Sequence, residues 1–157
     1  MSLPPFERVL ELHGPAVLRF CAARAGGERA EDCFQETMLA ALRHYGELRD
    51  AGAVRAWLLS IAARTAVDLH RARAREPLAA SDVLDDAPLA ALDRPPRDEQ
   101  LWARVRALPE KQREAVALRY VGDLTHREIA QVMEISEPAA RRNVFEGLQR
   151  LRREAAR

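Results

Sequence analysis

Aromatic residues make up only 5% of this 157-residue chain, and glycine occurs seven times. Runs of β-branched residues are nearly absent as well. A chain so short of strand formers and turn glycines does not build a many-stranded sandwich or barrel. No apolar run approaches the roughly 20 residues needed to cross a bilayer, so no membrane insertion is expected. Glu7, Arg8 and Glu11 fall where a signal peptide requires an apolar stretch, which points to a cytoplasmic protein. Two cysteines, Cys21 and Cys33, cannot form a disulfide framework, and both fit core positions better than a metal site. With no second Cys/His cluster, no Gly-rich phosphate loop and no carboxylate pair, neither metal nor cofactor nor enzyme chemistry is expected. Lysine is almost missing too: Lys111 stands alone among 25 cationic residues. An arginine bias of this kind reflects genomic base composition as readily as phosphate binding.

What is present is globular in composition, with 48% apolar and 31% charged residues. The net charge of +1 hides a segregated pattern: residues 1–75 carry +2, residues 76–99 carry −5 and residues 100–157 carry +4. The acidic stretch also holds four of the nine prolines, Pro77, Pro88, Pro95 and Pro96, and has no sustained apolar period. It exceeds the usual ~12–15 residues of an unstructured connection inside one domain. The expected fold is therefore all-α: two small helical domains, 1–76 and 99–157, joined by an acidic, Pro-containing linker over 77–98.

Three helices are expected before the linker. The first, over residues 6–25, places Val9, Leu10, Leu12, Val17, Leu18 and Cys21 on its apolar side, with Pro15 as a candidate kink. The second, over residues 30–45, has an apolar stripe at Ala30, Cys33, Phe34, Thr37, Met38, Ala41 and Tyr45. Its opposite face carries Asp32, Gln35, Glu36 and Arg43, with Leu39 among them. The third, over residues 54–75, is expected to bury Val54, Trp57, Leu58, Ile61, Thr65 and Leu69. Arg64, Asp68, Arg71 and Arg75 form one polar stripe along it, which reads equally as solvated ion pairs or as a phosphate-tracking face.

The most specific local pattern lies near the end of the chain. Thr125 and Glu128 form a capping box, Ser136 caps the following helix, and Pro138 is tolerated in its first turn. Two helices so closely joined, with Ile129, Ala130, Ile135, Ala140 and Val144 to pack between them, make a helix-turn-helix. Such a unit presents Arg141, Arg142 and Asn143 of its second helix to a DNA major groove.

Three segments then point to one family. Arg29-Ala30-Glu31-Asp32-Cys33-Phe34-Gln35-Glu36-Thr37 resembles the AED-x-x-QET signature of extracytoplasmic-function (ECF) RNA polymerase sigma factors, of the sigma-70 family. Val54-Arg55-Ala56-Trp57-Leu58-Leu59-Ser60-Ile61-Ala62 resembles their FRAWL-x-x-IA segment. Leu108-Pro109-Glu110-Lys111-Gln112-Arg113-Glu114 resembles the LPE-x-QRE opening of their promoter-binding domain.

The resemblance implies a bacterial transcription initiation factor that binds core RNA polymerase and helps melt promoters. Asp32, Gln35, Glu36, Leu39 and Arg43 would dock on the clamp coiled coil of the polymerase. Arg55, Trp57, Arg64, Arg71, Arg73 and Arg75, with the loop at 46–53, would address the minus-ten element. Thr125, Ser136, Arg141, Arg142 and Asn143 would address the minus-thirty-five element, and an anti-sigma factor would be a further partner. The chain departs from the family pattern at Ser60, Ala63 and Arg64, and at Glu134, Pro138, Asn143 and Gly147 around the recognition helix. Glu134 stands where a turn glycine is usual; a left-handed residue there costs roughly 1 kcal/mol. The competing reading is a helix-turn-helix regulator that does not bind polymerase core, which leaves the 30–43 polar stripe unexplained.

Overall fold

In a computed structural model, residues 2–75 and 98–157 are described. The acidic segment between them, and with it the expected linker, lies outside the described residues. Helix α1 (Phe6–Ala25) runs unbroken through Pro15. Gly26, at φ 86°, ends α1 and at once precedes α2 (Gly27–His44). A side chain there would be strained, so glycine permits a one-residue turn between two long helices. Two short 3-10 turns, Tyr45–Glu47 and Ala51–Ala53, lead into α3 (Val54–Arg75). After the undescribed segment come α4 (Asp98–Ala107), α5 (Glu110–Tyr120), α6 (His126–Met133) and α7 (Glu137–Ala155). No strand occurs among the described residues.

The first three helices pack on one another around Val17, Phe20, Cys21, Cys33, Thr37, Leu58 and Ala62, all fully or almost fully buried. Thr37, the polar member of the expected α2 stripe, donates its hydroxyl hydrogen to the Cys33 carbonyl at 2.6 Å and so is buried at little cost. Both cysteines are core thiols; the contact with Cys33, and then burial, push the Cys21 pKa up, which keeps it an inert thiol. In the second half, Leu118, Leu124, Ile129, Ala140 and Val144 form the matching centre. Gly147 has a packing reason that helix propensity does not reveal: a Cβ there would lie 2.6 Å from the Val116 methyl, so glycine lets α7 approach α5.

The apolar faces differ from the sequence expectation in two places. On α1, Leu10 and Leu12 are exposed, and Phe20 takes the central core position. On α3 the fully buried residues are Val54, Leu58, Leu59, Ala62, Ala63 and Ala66, whereas Trp57, Ile61, Thr65 and Leu69 are half-buried. The reason is a second neighbour: α3 packs on α1 and α2 with one side and on α6 with another. Gly122, just after α5, sits against Leu59, where a Cβ would come within 2.6 Å of the leucine methyl. The helices of residues 2–75 and those of residues 98–157 thus share one continuous core. Each fully buried leucine at this seam contributes on the order of 1.5–3 kcal/mol.

Candidate functional site

Three surfaces carry the residues singled out by sequence. The first is the outer face of α2. Asp32, Gln35, Glu36, Leu39 and Arg43 all lie exposed there, opposite the buried Ala30, Cys33, Thr37, Met38 and Ala41. Leu39 is 50% exposed, and one turn on Leu42 is 55% exposed. Sequence reasoning passed over Leu42, although its i+3 spacing from Leu39 places the two side by side. Among the described residues, none of Asp32, Glu36 and Arg43 forms an ion pair. The result is a two-leucine patch inside a ring of uncommitted charge.

The second surface follows α3. At its start, the Arg55 guanidinium lies 3.5 Å from the carboxylate of Asp123, in the turn after α5. Trp57 is half-buried and faces Tyr45 at 6.3 Å between ring centroids, while Tyr45 meets Phe6 edge-on at 5.4 Å. The Tyr45 hydroxyl donates to the Pro4 carbonyl. In the preceding loop the Asp50 carboxylate accepts from the Gly52 amide at 2.8 Å, which fixes the turn into α3. Arg64, Arg71, Arg73 and Arg75 are exposed. Asp68 pairs with neither Arg64 nor Arg71 among the described residues, which leaves both cations uncompensated. The six expected residues do not converge: Arg55 and Arg75 stand roughly 30 Å apart along the helix axis.

The third surface is the helix-turn-helix. The capping box forms as expected: the Thr125 hydroxyl oxygen accepts from the Glu128 amide at 3.2 Å, and the Glu128 carboxylate accepts from the Thr125 amide at 2.8 Å. Ser136 caps α7 by accepting from the Ala139 amide at 3.2 Å. The turn between α6 and α7 rests on Glu134, which is left-handed at φ 56°, ψ 45°. It is closed by the Ile135 amide, donating to the Ala130 carbonyl at 3.0 Å. Arg141 pairs with Glu137 at 2.8 Å. Asn143 donates its amide to the Ala139 carbonyl of its own helix at 3.1 Å, rather than facing α6. Of the five expected contacts, Arg142 alone keeps a polar head with no partner among the described residues.

A three-helix unit with an uncovered charged face, followed by a capped helix-turn-helix, is the layout of a sigma-70 protein, and the family matches divide the chain in the same way. Residues 9–76 match Sigma-70 region 2, and residues 98–151 match Sigma-70, region 4. The ECF RNA polymerase sigma factor SigD of Mycobacterium tuberculosis is 34% identical, with 94% of this chain and 76% of SigD covered. The ECF RNA polymerase sigma factor SigM of Bacillus subtilis is 27% identical, covering 93% of this chain and 92% of SigM. The fold is shared with the sigma factor RpoE of Bartonella quintana, solved in complex with the anti-sigma factor NepR. That match has a TM-score of 0.77 and 22% identity, and covers 94% of each chain.

The chain belongs to the ECF RNA polymerase sigma factors. It is a transcription initiation factor that binds core RNA polymerase and directs it to specific promoters. The match over residues 9–76 is what separates it from a regulator that owns only a helix-turn-helix. Sigma factors are transcription factors rather than enzymes. Among the described residues no helix is long and apolar enough to cross a membrane, and no group of three His, Cys, Asp or Glu residues is placed to hold a metal.

Proposed function

We propose a division of labour in which residues 1–76 dock on core polymerase and address the minus-ten element, 77–98 form the connecting linker, and 99–157 address the minus-thirty-five element. The outer face of α2 docks on the clamp coiled coil, and the observation that carries this is the exposed Leu39–Leu42 patch within its ring of Asp32, Gln35, Glu36 and Arg43. Apolar anchors inside a polar rim are how protein interfaces concentrate their binding energy. Arg55 and Trp57 at one end of α3, with Arg64, Arg71, Arg73 and Arg75 along it, address the minus-ten element and help to melt it.

In the minus-thirty-five unit, Arg142 is the foremost base or phosphate contact. Arg141 serves after leaving Glu137, while Thr125, Ser136 and Asn143 contribute mainly by holding their helices in place. The setting is the bacterial cytoplasm. An anti-sigma factor is part of this reading because the sigma factor RpoE of Bartonella quintana, which shares the fold, was solved bound to one.

The test is capture of core polymerase by the purified chain and by Asp32→Arg and Glu36→Arg. Both positions are exposed, so folding is expected to be unchanged. Like-charge contact at the interface costs several kcal/mol, enough to abolish capture. Wild-type affinity in both variants sinks the assignment of this face.

A further inference from the structure

The seam between the two halves is hollow at one end. Between the end of α1, the start of α2, the last turns of α3 and the start of α5 lies a cavity of about 260 Å³. Arg24, Arg29, Arg71 and Arg113 line it, against Glu110 as the one lining carboxylate among the described residues. Ala66 and Leu69 of α3 supply an apolar wall.

Two of these arginines carry donors that the protein does not satisfy. The Arg24 side chain is only 5% exposed; its Nη2 lies 3.5 Å from Glu110 and 3.7 Å from Glu114. Its Nε is nevertheless buried without a hydrogen-bond partner. The Arg113 Nε is also buried and unpartnered, and Arg113 joins no ion pair among the described residues. Burial, reinforced by the Arg24 charge, pushes the Arg113 pKa down. Burial likewise raises the Glu114 pKa, against the opposing charge of Arg24. Buried guanidinium N–H groups are costly to leave unpaired. The two arginines come from different halves of the chain, and both line the same cavity.

We propose that this cavity binds a small phosphorylated molecule, with the phosphate among Arg24, Arg71 and Arg113 and the organic part against Ala66 and Leu69. Guanidinium forks match phosphate oxygens in geometry, and a phosphate brings more acceptors and more charge than a carboxylate. Arg29, which donates to the Leu69 carbonyl at 3.4 Å, braces the α3 wall. The volume suits a sugar phosphate better than the larger ligands of typical ~300–1,000 Å³ pockets. Because both halves build the walls, the ligand adds its binding free energy to the packed arrangement alone. This binding does not rest on the proposed function.

The test is calorimetric titration of the full chain at low salt with ribose 5-phosphate, orthophosphate and ribose. Ribose 5-phosphate is expected to bind at one site per chain and ribose not at all. Orthophosphate binding more weakly assigns the site to a phosphate ester; equal affinity assigns it to free phosphate. Loss of one charge-assisted contact in Arg113→Gln or Arg71→Gln weakens binding about tenfold. Arg71 is exposed, so its variant folds normally, as circular dichroism and Tm verify. Arg19→Gln, an exposed change on α1 outside the cavity, leaves the affinity unaltered. No saturable phosphate binding, or equal affinity in wild type, Arg71→Gln and Arg113→Gln, overturns the proposal. The titration contains no polymerase or promoter, so its failure is separate from failure of the docking assignment.

Discussion

Helices α2 and α3 lie side by side against α1, and both were expected to turn a polar face to solvent. On α2 that face is uncovered, with Leu39 and Leu42 half-exposed among Asp32, Glu36 and Arg43. On α3 one flank is already occupied: Leu59 rests on Gly122, and Arg55 reaches Asp123. One surface stands ready for a partner, while the other is partly engaged by the chain's own second half. Adjacent helices of similar composition differ here because burial is decided by what a helix meets in space.

The largest test of this contrast is Leu39→Asp set against Leu12→Asp. Both leucines are about half exposed, at 50% and 54%, so neither change should cost much folding energy. Leu39→Asp is expected to lose at least about 2 kcal/mol of core-polymerase affinity, as a central interface anchor does, while Leu12→Asp retains it. Equilibrium binding to core polymerase measures the pair; equal affinities would remove the special status of the α2 face.

The seam offers the next test. In Gly122→Ala the new methyl would lie 2.6 Å from the Leu59 Cδ1 and 2.7 Å from the Leu118 carbonyl oxygen. The leucine tip can move but the backbone oxygen cannot, so a loss of about 1–3 kcal/mol is expected in urea unfolding. An unchanged midpoint and slope would show that the halves do not pack closely at this point.

A smaller effect separates the two arginines that open α7. Arg142→Ala should weaken promoter binding by the polymerase-bound protein and lower the salt slope by about one unit if it meets a phosphate. A base contact would instead cost ~1–3 kcal/mol and relax preference at one position. Arg141→Ala is expected to do less, because Arg141 must first leave Glu137. A larger effect of Arg141→Ala reverses the ranking.

The smallest effect is one of pH. His13 has its pKa lowered from 6.5 by burial and then by the charge of Arg55, the residue that engages the second half. The unfolded chain therefore takes up this proton before the folded chain does. Stability present above pH 6.5 is lost as the pH falls through the histidine range. His13→Gln should remove that part of the stability profile, and Arg55→Gln should make it smaller by bringing the folded pKa back toward 6.5. Parallel profiles for all three proteins would deny the coupling.

The α2 stripe was legible in sequence because a 3.6-residue period with a core on one side needs no knowledge of distant partners. The caps at Thr125 and Ser136 were legible for the same reason: their donors and acceptors lie three residues away. Glu134 was recognisable as a strained residue in a turn that favours glycine, and its φ of 56° agrees. Leu59 and Ala63 were left out of the expected core because α3 also packs on the second half of the chain, where Gly122 meets Leu59 more than sixty residues further on. The grouping of Arg24 with Arg113 had no local pattern, since the two meet only after both halves have packed. Asn143 was expected to face the DNA groove or the first helix of the motif, whereas its amide donates to the Ala139 carbonyl one turn back on its own helix.

The one-residue connection at Gly26 also has a bearing on how the chain assembles. Joining helices of 20 and 18 residues through a single left-handed glycine closes the α1–α2 pair with almost no loop to order. Contacts so near in sequence form early, whereas α1 must wait for α5 to be synthesised. The face carrying Leu39 is therefore expected to take shape on the nascent chain ahead of the seam. A pulse-labelling hydrogen-exchange experiment would then find α1 and α2 protected before α5 and α6.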